Sequence, residues 1–168
     1  MSDTQVYRVY IKASPQAIWD AITKPDWTQK YGYSGLADFD LKPGGKHRTR
    51  PTPELESYGV SGDMVDGEVL EADPPRKLVV TWKLVMAPEL AAEPYTTLTY
   101  DIEETRIAGT RLTVTHDLTG APQTAAMVSG AGEKIDSTEG EGAGGGWAWI
   151  LSDLKTLLET GETIAAQR

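Results

Sequence analysis

The hydrophobic positions along the chain change their period twice. Residues 6–14, VYRVYIKAS, alternate: Tyr7, Val9 and Ile11 share one side, and Arg8, Tyr10 and Lys12 the other. A period of two is what a half-buried strand requires. Ser14-Pro15 then sets a capping hydroxyl before a proline suited to the first helical position, and Ile18, Ala21 and Ile22 form an apolar stripe with Trp19 beside it. Pro25 stops that helix and opens a second short one carrying Trp27 and Tyr31.

From residue 36 to 118 the period returns to two. LADFDL, GGKHRTR, SGDMVDGEVLEA, KLVVTWKL, YTTLTYDIEE and TRLTVTHDL read as six strands, separated by the turn-rich stretches LKPGG, EADPPRK and MAPELAAEP. No helical crossover lies between them, so the sheet is predicted to be antiparallel. Residues 119–146 are small and polar and read as a loop with one helical turn at 123–128. Trp147, Ile150, Leu151, Leu154, Leu157 and Leu158 then fall on one helical stripe over 147–159, ended by Gly161.

The predicted fold is therefore α+β, with the order β-α-α-β6-α and seven antiparallel strands. One long amphipathic helix must cover the sheet, and the sheet must curl around it, or an apolar face stays wet. At 168 residues the chain has the size of one domain, and residues 1–168 are taken as one.

Parity picks the inward side chains. Leu78, Val80, Trp82 and Leu84 point one way; so do Leu98, Tyr100 and Ile102, and Leu112, Val114, His116 and Leu118. If Glu104 pairs with Thr110 across the 105–109 turn, His116 lies opposite Leu98 with Tyr100 diagonal to it. A slip of two residues would set Tyr100 directly across. An inward imidazole needs a partner: a phenol, water, backbone or a ligand. His47, among Lys46, Arg48 and Arg50, is expected in solvent.

Charge and composition narrow the functions. The net charge of −9 opposes binding to nucleic acid or to anionic lipid. With no cysteine, disulfides, thiolate catalysis and thiolate-bound metals are excluded. Two histidines without a nearby inward carboxylate argue against any metal site. There is no apolar leader, and no window approaches the ~18 apolar residues of a membrane span, so a cytoplasmic protein is expected. Gly140, Gly142 and Gly145 match G-x-G-x-x-G. A dinucleotide loop, however, needs a core strand before it and another strand after its helix, and neither is present. The glycines read instead as a hinge delivering Trp147 to the interior, and no cofactor is expected.

Four segments, SPQAIWDAITKPDWTQKY, FDLKPGGKHR, DGEVLEADPPRKLVVTWKL and GGGWAWILSDLKTLLETG, resemble in order and spacing the activator of Hsp90 ATPase homologue-like proteins. These belong to the START-like (SRPBCC) superfamily, which includes the birch pollen allergen fold and polyketide cyclases. The resemblance implies a helix-grip fold: a curved antiparallel sheet holding the C-terminal helix around a hydrophobic cavity.

Three functions are compatible with this reading. The first is binding of a small hydrophobic molecule between sheet and helix, with Tyr31, Trp82, Tyr100, Leu112, Val114, His116, Trp147 and Leu151 around it. The second is a cofactor-free cyclase or hydrolase using His116 and Tyr100 as acid and base. The third is an interaction protein, a chaperone or stress-response partner or a homodimer, suggested by Trp149 standing off the helix stripe.

Overall fold

The computed structural model describes residues 3–130 and 145–164. Seven strands form one antiparallel sheet in the order β1-β7-β6-β5-β4-β3-β2. They are β1 (Thr4–Ile11), β2 (Leu36–Phe39), β3 (Lys46–Arg50), β4 (Val65–Asp73), β5 (Lys77–Leu84), β6 (Thr96–Glu104) and β7 (Thr110–Asp117). Between β1 and β2 lie α1 (Pro15–Thr23) and α2 (Pro25–Thr28), and α6 (Gly146–Thr160) follows β7 at a distance. The expected order is thus observed. Three helices join it: α3 (Pro53–Ser57), α4 (Pro88–Ala91) and α5 (Pro122–Ser129). The last is two turns rather than the single turn expected. None of the helices among the described residues is long and apolar enough to cross a membrane.

Local chemistry accounts for the helix ends. The Ser14 hydroxyl accepts from Ala17 N at 3.1 Å with Pro15 following, as the sequence predicts. The first turn of α5 has no capping side chain of its own. The Glu93 carboxylate, thirty residues earlier, accepts instead from Gln123 N, Thr124 N and the Thr124 hydroxyl. At the far end of α6, Gly161 takes φ 83° and its N–H returns to Leu157 O.

The grip is visible in the packing. Ile18, Trp19 and Ile22 from α1 join Leu78, Val80, Leu98, Ile102, Leu112 and Val114 from the sheet and Trp147, Leu151, Leu154 and Leu157 from α6 in one core. Burial of Trp147 alone contributes about 4–6 kcal/mol of gross transfer free energy. Lys155 donates to Tyr10 O and Glu159 accepts from Lys12 N, so α6 also occupies part of the β1 edge. Gly145 and Gly146 both have positive φ, and a Cβ on Gly146 would collide with the Val128 carbonyl. Close passage of α6 beneath α5 is therefore what glycine permits there. Gly140 and Gly142 fall outside the described residues, as does half of the 119–146 stretch.

Candidate functional site

The β6–β7 hairpin adopts the first of the two registers considered: Glu104 pairs with Thr110, Leu98 with His116 and Tyr100 with Val114. The inner face of β5–β7 and the first turn of α6 then bring four rings together. Trp82 meets His116 edge-on at 5.0 Å between centroids, and Trp147 lies 6.0 Å from His116, 6.3 Å from Trp82 and 6.2 Å from Tyr100. Tyr31 is buried in the same core, and its hydroxyl donates to Ala21 O at 2.8 Å. Leu112, Val114 and Leu151 are also buried there. All eight residues singled out from the sequence therefore line the interior that sheet and helix share.

Their polar atoms differ sharply. The Thr96 hydroxyl has one proton, and it donates that proton to Trp82 O at 2.8 Å. Its 2.8 Å contact with His116 Nε2 must then be one in which the ring N–H donates. That leaves a lone pair on His116 Nδ1, which accepts from the Trp147 indole N–H at 3.1 Å. Both nitrogens are thus occupied and the residue is 0% exposed. Burial pushes the imidazole pKa down to about 4, partly opposed by Asp117, so the ring is neutral at pH 7. His116 is a hydrogen-bonded core residue with no proton position open to a substrate.

Tyr100 and Trp82 are different. Both are half-buried, and neither the Tyr100 hydroxyl nor the Trp82 indole N–H has a hydrogen-bond partner among the described residues. Neither is sealed off: the sole unpaired side-chain nitrogen or oxygen fully enclosed among those residues is Trp149 Nε1. Burial raises the Tyr100 pKa, so its hydroxyl remains a donor. These two groups can hydrogen-bond a guest without breaking a native bond.

Two features escaped the sequence reading. Asp153, in the leucine-rich helix, is 2% exposed; its carboxylate accepts from Gly32 N at 2.9 Å and Ile164 N at 2.8 Å. A single acid in an amphipathic helix ordinarily faces water, and nothing local marked this one otherwise. The second is His47, expected in solvent but 4% exposed. It pairs with Gly67, whose missing side chain lets the imidazole lie against β4; a Cβ there would collide with His47 Nε2 and Thr81 O. His47 Nε2 donates to Thr81 O at 2.6 Å and the ring stacks on Phe39 at 5.1 Å.

Two open grooves lie away from the grip. One, of about 870 Å³, crosses β2–β4; the other, of about 690 Å³, lies over Arg8, Arg76, Lys77 and Arg111. Neither is lined by Tyr100, His116 or Trp147. No group of three or more metal-ligating side chains able to hold an ion occurs among the described residues.

Solved structures share this arrangement. The HSP90 activator PFC0360w of Plasmodium falciparum is 21% identical, with a TM-score of 0.54 over 96% of this chain and 90% of that one. The Aha1 protein of Colwellia psychrerythraea, solved as a dimer, is 20% identical, with a TM-score of 0.57 over 94% and 97%. DynU16, from the dynemicin biosynthetic locus, is 18% identical with a TM-score of 0.63 over 97% of this chain, which spans 49% of DynU16. At these identities the likeness is one of fold. No curated protein matches the sequence. The profile of Activator of Hsp90 ATPase homolog 1-like proteins matches residues 12–159. With the grip, the strand order and that match in agreement, the chain belongs to the Activator of Hsp90 ATPase homolog 1-like family.

Proposed function

We propose that the protein binds a small, largely apolar molecule between the sheet and α6, with the Tyr100 hydroxyl and the Trp82 indole N–H as its polar contacts. The observation that carries this reading is their unpartnered, unsealed state inside an otherwise satisfied aromatic interior. Trp147 and Tyr31 would form the apolar wall, and His116 would hold Trp147 in place rather than touch the ligand. The occurrence of DynU16 in a biosynthetic locus fits a small organic ligand. Acid–base catalysis through His116 has no support in this geometry, because both ring nitrogens are occupied.

The test is a screen of flat aromatic and polyene compounds, read by melting temperature and tryptophan fluorescence. A binder should raise the melting temperature and quench emission, and Tyr100→Phe should weaken it about tenfold, the effect of one hydrogen bond. A broad library that moves neither signal refutes the proposal.

A second reading, self-association, rests on the β1 edge, where Val6 and Tyr10 are 49% and 45% exposed. The dimeric Colwellia relative fits it. Light scattering should then show a dimer that Val6→Lys disperses; a monomer at every concentration removes this reading.

A further inference from the structure

His47 carries a polar atom that nothing in the fold uses. The carbonyl of Thr81 can only accept, so the 2.6 Å contact fixes the ring proton on Nε2 and leaves a lone pair on Nδ1. That nitrogen has no partner among the described residues, although the residue is only 4% exposed, and it is not sealed off. Burial lowers the pKa of the ring, which keeps it neutral and its lone pair available at pH 7. A buried acceptor without a donor costs stability, so its retention calls for an explanation.

Register places the ring beside the inner site. Phe39 pairs with His47 and His47 with Gly67, so the three share the inner face. The inward Cβ that Gly67 lacks would strike His47 Nε2 and Thr81 O, so the imidazole lies over Gly67 against β5. The carbonyl that it meets belongs to the peptide bond leading into Trp82, whose indole is half-buried in the core. Imidazole and indole are thus neighbours on one surface, where Trp82 Nε1 offers a donor and His47 Nδ1 an acceptor. The stretch is built rather than incidental. Between Asp66 and Val69 regular β4–β5 pairing lapses: the Thr81 hydroxyl accepts from Glu68 N, and Thr81 O turns to His47.

Charge restricts what can use that acceptor. Asp66 and Glu68 alternate with Gly67 and point outward, and the Asp153 carboxylate is held by Gly32 N and Ile164 N. No lysine or arginine is buried among the described residues. An ammonium on the inner face would lack a counter-charge, and a carboxylate there would lack a cation. An uncharged O–H is the donor that fits.

We infer that His47 is a specificity residue of the inner site: its Nδ1 accepts from a hydroxyl of the ligand, an uncharged aromatic compound that carries a phenolic O–H together with a carbonyl oxygen for Trp82 or Tyr100. This rests on the binding reading above and adds to it the donor end of the ligand. Because burial makes the ring a weak base, the proton stays on the ligand's oxygen. Phe39, stacked on the imidazole at 5.1 Å, supplies apolar surface beside that hydroxyl.

Two probes test this: an acetylnaphthol with its hydroxyl and ketone on opposite rings, and its methyl ether, which keeps the acceptor and loses the donor. Tryptophan quenching should show the phenol binding about fivefold more tightly than the ether, the effect of one hydrogen bond. In long-range ¹H–¹⁵N spectra the phenol, and not the ether, should move the His47 Nδ1 resonance upfield, while His116 stays still. His47→Gln keeps an N–H where Nε2 stood, for Thr81 O, but sets no acceptor at the Nδ1 position. The phenol's advantage should disappear in it while the ether's affinity holds. Should that variant fail to fold, the Nδ1 resonance decides alone. Equal binding of the two probes, an unmoved Nδ1 resonance or an undiminished advantage in His47→Gln overturns the role of His47 and leaves the binding reading standing. Binding of neither probe overturns this ligand class, and the broader screen above then decides the binding reading.

Discussion

Two histidines face the same side of the sheet and both are almost completely buried, yet they are left in different chemical states. His116, in the middle of β7, spends one nitrogen on Thr96 and the other on Trp147. His47, in β3 near the sheet's far edge, spends one nitrogen on Thr81, and the other has no partner among the described residues. Burial, the usual sign of a core residue, is therefore silent about availability. What separates them is the bond count: a fully satisfied imidazole organises the core, whereas a half-satisfied one retains an acceptor for a guest.

The most severe test of that contrast is to remove what His116 organises. Trp147→Ala deletes the ring that closes the grip and should cost about 3–5 kcal/mol in denaturant melts. A cost below about 1 kcal/mol would show that the ring does not close the grip.

Next is pH. The His116 pKa is about 4 in the folded protein against 6.5 in the unfolded chain. Below pH 6.5 the unfolded state takes up a proton that the native state refuses, so stability falls as pH drops and the loss levels off near pH 4. The full excursion is about 3 kcal/mol. His116→Met should lose about 1–3 kcal/mol at pH 7, where Trp147 and Thr96 lose their partner. It should also flatten the slope between pH 6.5 and 4.5, a window above most of the carboxylate titration. An unchanged slope would show that His116 is not the group responsible.

Gly67→Ala sharpens the other half. Its Cβ would press on Thr81 O and His47 Nε2, so about 1–3 kcal/mol should be lost in denaturant melts. Retained stability would show that His47 does not need that space. The smallest effect is expected from Tyr100→Phe, below about 0.5 kcal/mol in urea, because no native hydrogen bond is broken. A larger cost would reveal a partner and remove Tyr100 from the list of free donors.

Much of the fold was legible because it follows from period. Alternation in VYRVYIKAS and TRLTVTHDL needs only the two-residue repeat of a strand, and the 105–109 turn narrowed the hairpin to two registers, of which the structure takes the one pairing Glu104 with Thr110. The inward set Trp82, Tyr100 and His116 came from the same parity, and Trp147 from the helical stripe that it heads. The misreadings share one cause. His47 sits among Lys46, Arg48 and Arg50, and its neighbours suggested water. Its burial depends on Gly67 and Phe39, each on a different strand. Asp153 likewise depends on Gly32 and Ile164, which meet it only after the chain has folded.

Sequence alone determined which residues belong to strands and helices, which side of each strand is apolar, and that one helix must be wrapped by one sheet. All of these are consequences of local periodicity and of the need to remove apolar surface from water. Tertiary structure alone decided which polar atoms end up with partners. A hydrogen bond is satisfied by atoms brought from distant parts of the chain, and the difference between His116 and His47 is one such bond.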